Sequence, residues 1–272
     1  MIMSTKKRYA LLLAARDSDY VNKLYGGYFN VFVDTFGEKD LEEGDSWDLF
    51  RVIDGEFPQL DHLHLYQGFV ISGSPHDAYG HESWILQLCF LVQTLFALHK
   101  KVLGVCFGHQ VICRALGGKV GKSCSGWDIG VRKVKFTEDF YTSSLSSSVG
   151  LYGSGEVAVI PQNLSIIECH QDEVWEVPVG AQVLAFSEKT GVEMFAFGDN
   201  ILGIQGHPEY TKDILNNLID RLVSNNSIQR EFGEEAKQQA MNSEPADRQQ
   251  WQKICRRFLK MGCTKFVPIL KL

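Results

Sequence analysis

Short apolar runs alternate with longer stretches of helical periodicity through the first half of the chain. RYALLLA (8–14), WDLFRVI (47–53), YQGFVISGSP (66–75) and KVLGVC (101–106) are rich in aliphatic, aromatic and β-branched residues, which predicts strands, the third ending in a Gly-Ser-Pro loop. Between 83 and 101, Ile85, Leu88, Cys89, Val92 and Phe96 recur at helical spacing, with Ser83 as a candidate cap. GHQVICRALGG (108–118) predicts the next helix, stopped by its double glycine. The segment 17–36 is mixed, and its Gly26-Gly27 pair breaks any long helix, so it reads as helix or loop.

From Lys119 to Phe136 and from Ile166 to Ile204 the pattern shortens to alternating strands. Three of these are joined by turns at Lys189-Thr190-Gly191 and Gly198-Asp199-Asn200. A helix with Ile214, Leu215, Leu218, Ile219 and Leu222 on one face follows. A polar stretch (234–248) then leads to a second helical face of Trp251, Ile254, Cys255, Phe258 and Leu259. Strand–helix alternation ahead of an antiparallel insert predicts an α/β fold with a doubly wound, mostly parallel sheet and a small antiparallel edge. The expected organisation is one domain over 8–225, with a helical C-terminal extension over 226–272 packed on it.

Composition narrows the partners. With 272 residues, 44% of them hydrophobic, the chain can bury one sizeable core. The net charge is −6 and the one basic cluster, Lys6-Lys7-Arg8, is short, which argues against nucleic acid or an anionic membrane as partner. YALLLAA is cut off by Arg16 and Asp17, too soon for a secretory core, and no apolar run is long enough to span a bilayer. Seven cysteines without a C-x-x-C pair read as reduced thiols in the cytosol.

One cysteine has an unusual frame. In LGVCFGHQV (103–111), Cys106 sits between an apolar strand and a helix, flanked at two positions on either side by Gly104 and Gly108. A nucleophile at that turn would lie at the carboxyl end of a sheet strand, where open α/β sheets place their sites. The helix start would favour a thiolate, and the Phe107 N–H could bind an oxyanion. A base and its orienter come from GIQGHPEY: Pro208 keeps His207 extended, so His207 and Glu209 share one face. The bland readings are a buried cysteine in a tight turn and a surface His-Pro-Glu turn. Other histidines compete. His109 would lie on the new helix, as packing or facing substrate, and His170 in ECHQDEV is either a pocket or a structural residue. His62 and His64 have the spacing of a metal pair but no third ligand, so no metal or other cofactor is expected. LGGKVGKS (116–123) imitates a phosphate-binding loop, but it lacks the first glycine and follows a helix, not a strand.

GVCFGHQ resembles the nucleophile motif of class I glutamine amidotransferases, and GHPE, about a hundred positions later, resembles their His-Pro-Glu motif. ISGSP resembles the oxyanion loop of that family and CHQDEV its pocket segment. With RYALLLAA, YGGYFNVFVDTFG, GFVISGSPHDAY and IQGHPEY, the chain looks most like the plant γ-glutamyl peptidases of that family. The resemblance implies Cys106 as nucleophile, His207 as base and Glu209 as its orienter. It implies an oxyanion loop at Gly73 and Ser74, with N–H donors from Ser74 and Phe107. It also implies a γ-glutamyl pocket lined by Gln110, His170, Gln171 and Asp172. Many members have Gly-Gly-Pro where this chain has Gly73-Ser74-Pro75, so Ser74 serves only if its backbone follows the same path. The implied substrate is a small γ-glutamyl peptide such as glutathione or its S-conjugates, with no obligatory synthetase partner. Two alternatives stand: a glutaminase subunit feeding ammonia to a separate synthetase, and a catalytically silent binding protein on the same fold.

Overall fold

The computed structural model describes residues 6–38, 44–148, 151–153, 156–158 and 161–261. Strand β1 (Arg8–Leu12) sends side chains to opposite faces in turn. Tyr9, Leu11 and Leu13 enter one apolar cluster, while Ala10, Leu12 and Ala14 enter another. A strand covered on both sides needs this period of two and no polar face. Helices α1 (Asp19–Tyr25) and α2 (Tyr28–Phe36) follow. They are separate because Gly26 and Gly27 take φ of 71° and 105°, backbone that glycine adopts without steric cost. Next come β2 (Ser46–Phe50), β3 (Gly68–Ile71), α3 (Ser83–Ala97), β4 (Lys101–Val105) and α4 (Phe107–Ala115). The second strand is shorter than its apolar run implies, since Val52–Asp54 tighten into a helical turn closed by Gly55. Ser83 is the first residue of α3 rather than its cap; Glu82 holds that position, without a side-chain capping bond.

The central part of the chain supplies β5 (Lys119–Lys122), β6 (Asp128–Phe136), the short helices α5 (Glu138–Thr142) and α6 (Ser144–Ser148), and a hairpin of β7 (Leu151–Gly153) and β8 (Glu156–Ala158). β9 (Asn163–His170), β10 (Asp172–Glu176), β11 (Gln182–Phe186), β12 (Met194–Phe197) and β13 (Ile201–Ile204) complete the strands. Nine of them form one sheet in the order β2-β1-β3-β4-β13-β12-β11-β6-β9. The first five run parallel and the rest antiparallel. β5 and β10 make a separate ribbon. The fold is thus the α/β class expected, a mostly parallel half joined to an antiparallel edge. β4 and β13 pair in parallel although a long excursion separates them in sequence.

Helices cover both faces. α3 and α4 pack on one, and α1, α2 and the C-terminal helices α7 (Lys212–Ser224), α8 (Arg230–Asn242) and α9 (Arg248–Lys260) pack on the other. The polar stretch beginning at 234 is mostly helical, α8, and it hides in the sequence because its buried face is made of Gly233, Ala236 and Ala240. A Cβ on Gly233 would come within 2.6 Å of the Val223 side chain, so the absence of one lets α8 cross α7 closely. α9 buries Trp251, Ile254, Cys255, Phe258 and Leu259 in the main core, as its periodicity predicts. The end of the expected extension, 262–272, lies outside the described residues. Among the described residues no helix is long and apolar enough to cross a membrane.

Candidate active site

Every element of the site leaves a sheet strand at its carboxyl end. β4 is buried throughout, and its ladder continues one residue further, with the Cys106 N–H donating to Ile204 O at 2.9 Å. There the chain must turn into α4, and Cys106 absorbs the turn at φ 53°, ψ −106°. That conformation costs a non-glycine residue about 1–3 kcal/mol and is held by the packed elements around it. The two flanking glycines make room for close packing. A Cβ on Gly104 would lie 2.4 Å from the Gly108 backbone, and one on Gly108 would lie 2.4 Å from Ile71 O. They let α4 start directly against β3 and β4.

His207 follows β13, its N–H donating to Ile167 O at 2.8 Å. The two-residue spacing works as expected: Nδ1 of His207 lies 2.8 Å from Oε1 of Glu209, and both side chains are buried. With Nδ1–H given to the carboxylate, Nε2 is left to receive a proton. The ring also stacks on Tyr210, centroids 3.8 Å apart and planes within 3°. Arg248 on α9 donates to Glu209 O at 3.1 Å, anchoring the orienter from behind.

The loop after β3 closes over this pair. A Cβ placed on Gly73 would lie 3.0 Å from His207 Cε1 and 3.7 Å from Cys106 Cβ. Thiol-bearing residue and imidazole therefore both stand within 4 Å of one point on the loop. Ser72 fixes the loop root: its hydroxyl accepts from Ala14 N and donates to Gly73 O, both at 2.9 Å. The Ser74 hydroxyl accepts the His76 N–H at 3.2 Å. Ser74 is not among the residues with positive φ, so its path does not require the glycine common in the resembling family.

Burial acts most strongly on the thiol. Desolvation pushes Cys106 well above its ordinary value, and Cys169, Glu168 and Glu209 push the same way. The Phe107 amide at the helix start pulls it down, as the sequence suggests, but desolvation is the larger effect. Burial therefore favours the neutral thiol, against the thiolate that the helix start alone would favour.

Beside the thiol, three of the four residues expected in a pocket meet at one carbonyl. Gln110 Nε2 donates to Asp172 O at 2.7 Å, and His170 Nδ1 lies 3.0 Å from the same oxygen. Gln110 also donates to Gln205 Oε1 at 3.0 Å. Gln171 enters through its backbone, its carbonyl accepting from Ser123 N. The Asp172 carboxyl, 3.5 Å from the Tyr79 hydroxyl, is raised to about 6 by burial and then by Asp77. Burial lowers His170 to about 4, so the ring is neutral, and its Nε2 faces the Glu168 carboxyl at 3.4 Å. Glu168 is itself pushed well up by burial, Glu193 and Asp128. His109 is a packing residue: it lies against Phe195 in the space Gly203 leaves open, and burial lowers it to about 3. His62 and His64 are exposed on a helical turn. Among the described residues no group of three or more His, Cys, Asp or Glu could hold a metal ion.

Residues that the sequence reading passed over also shape the site. Tyr210 follows the His-Pro-Glu segment directly and Gln205 precedes it by one intervening residue, and that closeness was a usable signal. Arg248 and Glu168 carry none, because their relation to the site exists only in three dimensions.

The sequence pattern of the glutamine amidotransferase class-I family matches residues 50–221. Gamma-glutamyl peptidase 5 of Arabidopsis thaliana is 51% identical over 259 residues, which is 95% of this chain and 98% of that protein. Gamma-glutamyl peptidase 3 of the same plant is 51% identical over 260 residues, 96% and 99% of the two chains. Among solved structures, a glutamine amidotransferase from Thermotoga maritima is similar in fold at a TM-score of 0.65 and 19% identity, covering 94% of this chain and 99% of that one.

Proposed function

This chain belongs to the class I glutamine amidotransferase family, and from that premise we propose that it is a γ-glutamyl peptidase, a cysteine hydrolase with Cys106, His207 and Glu209 as its triad. The substrates are glutathione, glutathione S-conjugates or related γ-glutamyl peptides. The observation that carries the reading is the convergence of Cys106 and the Glu209-oriented His207 on one loop glycine, Gly73. The half-identical relatives bearing the γ-glutamyl peptidase name support the substrate class.

The reaction follows from which atoms hold protons. Cys106 Sγ attacks the γ-carbonyl carbon while its proton passes to His207 Nε2, and Glu209 stabilises the imidazolium at Nδ1. The carbonyl oxygen becomes an oxyanion, bound by the N–H groups of Phe107 and Ser74. Collapse breaks the C–N bond, and the imidazolium delivers its proton to the departing amine. The resulting γ-glutamyl thioester is opened by water, whose proton goes to His207 and returns to sulfur as glutamate leaves. A neutral resting thiol suits this sequence, since attack and proton transfer happen together. Gln110, His170 and Asp172 hold the glutamyl end. A cytosolic location fits the free thiols.

A stand-alone glutaminase supplying ammonia to a synthetase would use the same thioester. Rates of glutamate release from glutathione and from glutamine separate the two, and the peptidase reading fails if only glutamine is cleaved. Cys106→Ala should stop release while leaving the melting temperature near that of the wild type; undiminished release from that variant refutes the triad.

A further inference from the structure

The two proposed oxyanion donors ride on different pieces of the chain. Phe107 is the first residue of α4, whereas Ser74 belongs to the loop between β3 and α3. The root of that loop is tied to β1, with Ser72 N donating to Leu12 O at 3.2 Å and Ala14 N to the Ser72 hydroxyl. Its far end is tied to the nucleophile helix by one side chain. Arg114, eight residues past Cys106 on α4, donates from Nη1 to Ala78 O and to Gly80 O, both at 2.7 Å. A turn closed by Gly80 N donating to Asp77 O at 2.8 Å brings those carbonyls together. A Cβ on Gly80 would lie 3.0 Å from Asp77 O, a tight contact, and 2.2 Å from Oε2 of the exposed Glu82, which would have to swing away. Ala78 is fully buried. Bonds from a guanidinium are short and strong, and one nitrogen serving two carbonyls fixes distance as well as orientation.

We propose that Arg114 is a positioning residue for hydrolysis: it clamps the Ser74 loop to the Phe107 helix and so sets the spacing of the two oxyanion donors. The proposal rests on the γ-glutamyl peptidase reading. Arg114 touches no reacting atom, so its removal should act on the transition state and spare both the thiol and ground-state binding.

The test compares full-length wild type and Arg114→Met, which keeps the apolar stem and deletes the donors. Glutamate release from a γ-glutamyl dipeptide gives kcat and KM, and inactivation by iodoacetamide reports the Cys106–His207 pair without needing an oxyanion hole. We expect kcat to fall about 10²-fold, KM to stay within about threefold and the alkylation rate to stay within about twofold. Guanidinium ion added to Arg114→Ala should restore part of the lost kcat, which a merely structural role would not allow. Wild-type kcat in Arg114→Met overturns the proposal, as does a parallel loss of kcat, alkylation rate and melting temperature with no guanidinium rescue. Should Arg114→Met fail to fold, Arg114→Gln, too short to reach the carbonyls, carries the same expectations and the same refutation. A wild-type protein that releases no glutamate from any γ-glutamyl compound refutes the peptidase reading, and the proposal with it.

Discussion

Replacing Gly73 by alanine adds one methyl group at the place where the loop, the imidazole and the thiol-bearing residue meet. The new carbon would sit 3.0 Å from His207 Cε1 and 3.7 Å from Cys106 Cβ. Carbon atoms settle at about 3.5–4.0 Å, so something must retreat by about 0.5 Å. The ring is held by Glu209 at 2.8 Å and by the face of Tyr210, and the loop is held at Ser72, so neither yields freely. Retreat of the ring moves Nε2 off the thiol; retreat of the loop moves Ser74 off the carbonyl oxygen. A 1 Å misplacement costs about 10²-fold, so half of that should cost about tenfold in kcat/KM, or about 1.4 kcal/mol of barrier. Stability should barely change. Crowding costs about 1 kcal/mol, and the lower entropy of an unfolded chain without the glycine offsets about 0.4–1 kcal/mol of it. Gly73→Val should lose about 10²-fold or more. Initial rates of glutamate release give kcat/KM, and thermal unfolding monitors the fold. An alanine variant with wild-type kcat/KM would refute the reasoning, because the loop could not then be packed against the imidazole in the working enzyme.

Because burial holds the Cys106 thiol well above its ordinary 9.0, inactivation by iodoacetamide should keep accelerating through pH 9; a plateau near neutrality would mean a preformed thiolate. Glu193 is raised from 4.5 to about 7 by burial, so the native state binds more protons than the unfolded chain between those values and loses stability as pH rises across them. The melting temperature of Glu193→Gln should accordingly gain on the wild type from pH 4.5 to 7 and then level off; a pH-independent difference would refute this. Trp251→Ala removes a fully buried ring that packs against Phe136 and donates to Ser165 O, and should cost about 3–5 kcal/mol in chemical denaturation. A loss under about 1 kcal/mol would show that α9 contributes little to the fold.

Apolar runs made the parallel strands legible, since a strand buried on both faces has little choice but Val, Ile, Leu and aromatic residues. The strand–turn–helix frame made Cys106 legible, and the constraint of Pro208 made the His207–Glu209 pair legible, because both are local. What lay hidden depends on partners remote in sequence. α8 escaped because glycine and alanine suffice where helices cross closely, leaving no periodic large residues to read. β5 and β6 read as one alternating region, but only β6 joins the main sheet, and β5 finds its partner in β10. The desolvation at Cys106 was hidden for the same reason. A helix start is visible in sequence, whereas the desolvation that outweighs it comes from everything packed around the sulfur.

The parallel pairing of β4 with β13 bears on the synthesis of the protein. The codon for Cys106 is translated about a hundred codons before those for His207 and Glu209. At about 5–20 residues per second, the ribosome makes that cysteine roughly 5–20 s ahead of its proposed base. A message truncated anywhere in between yields a product without the proposed base, so the proposed triad is completed late and all at once.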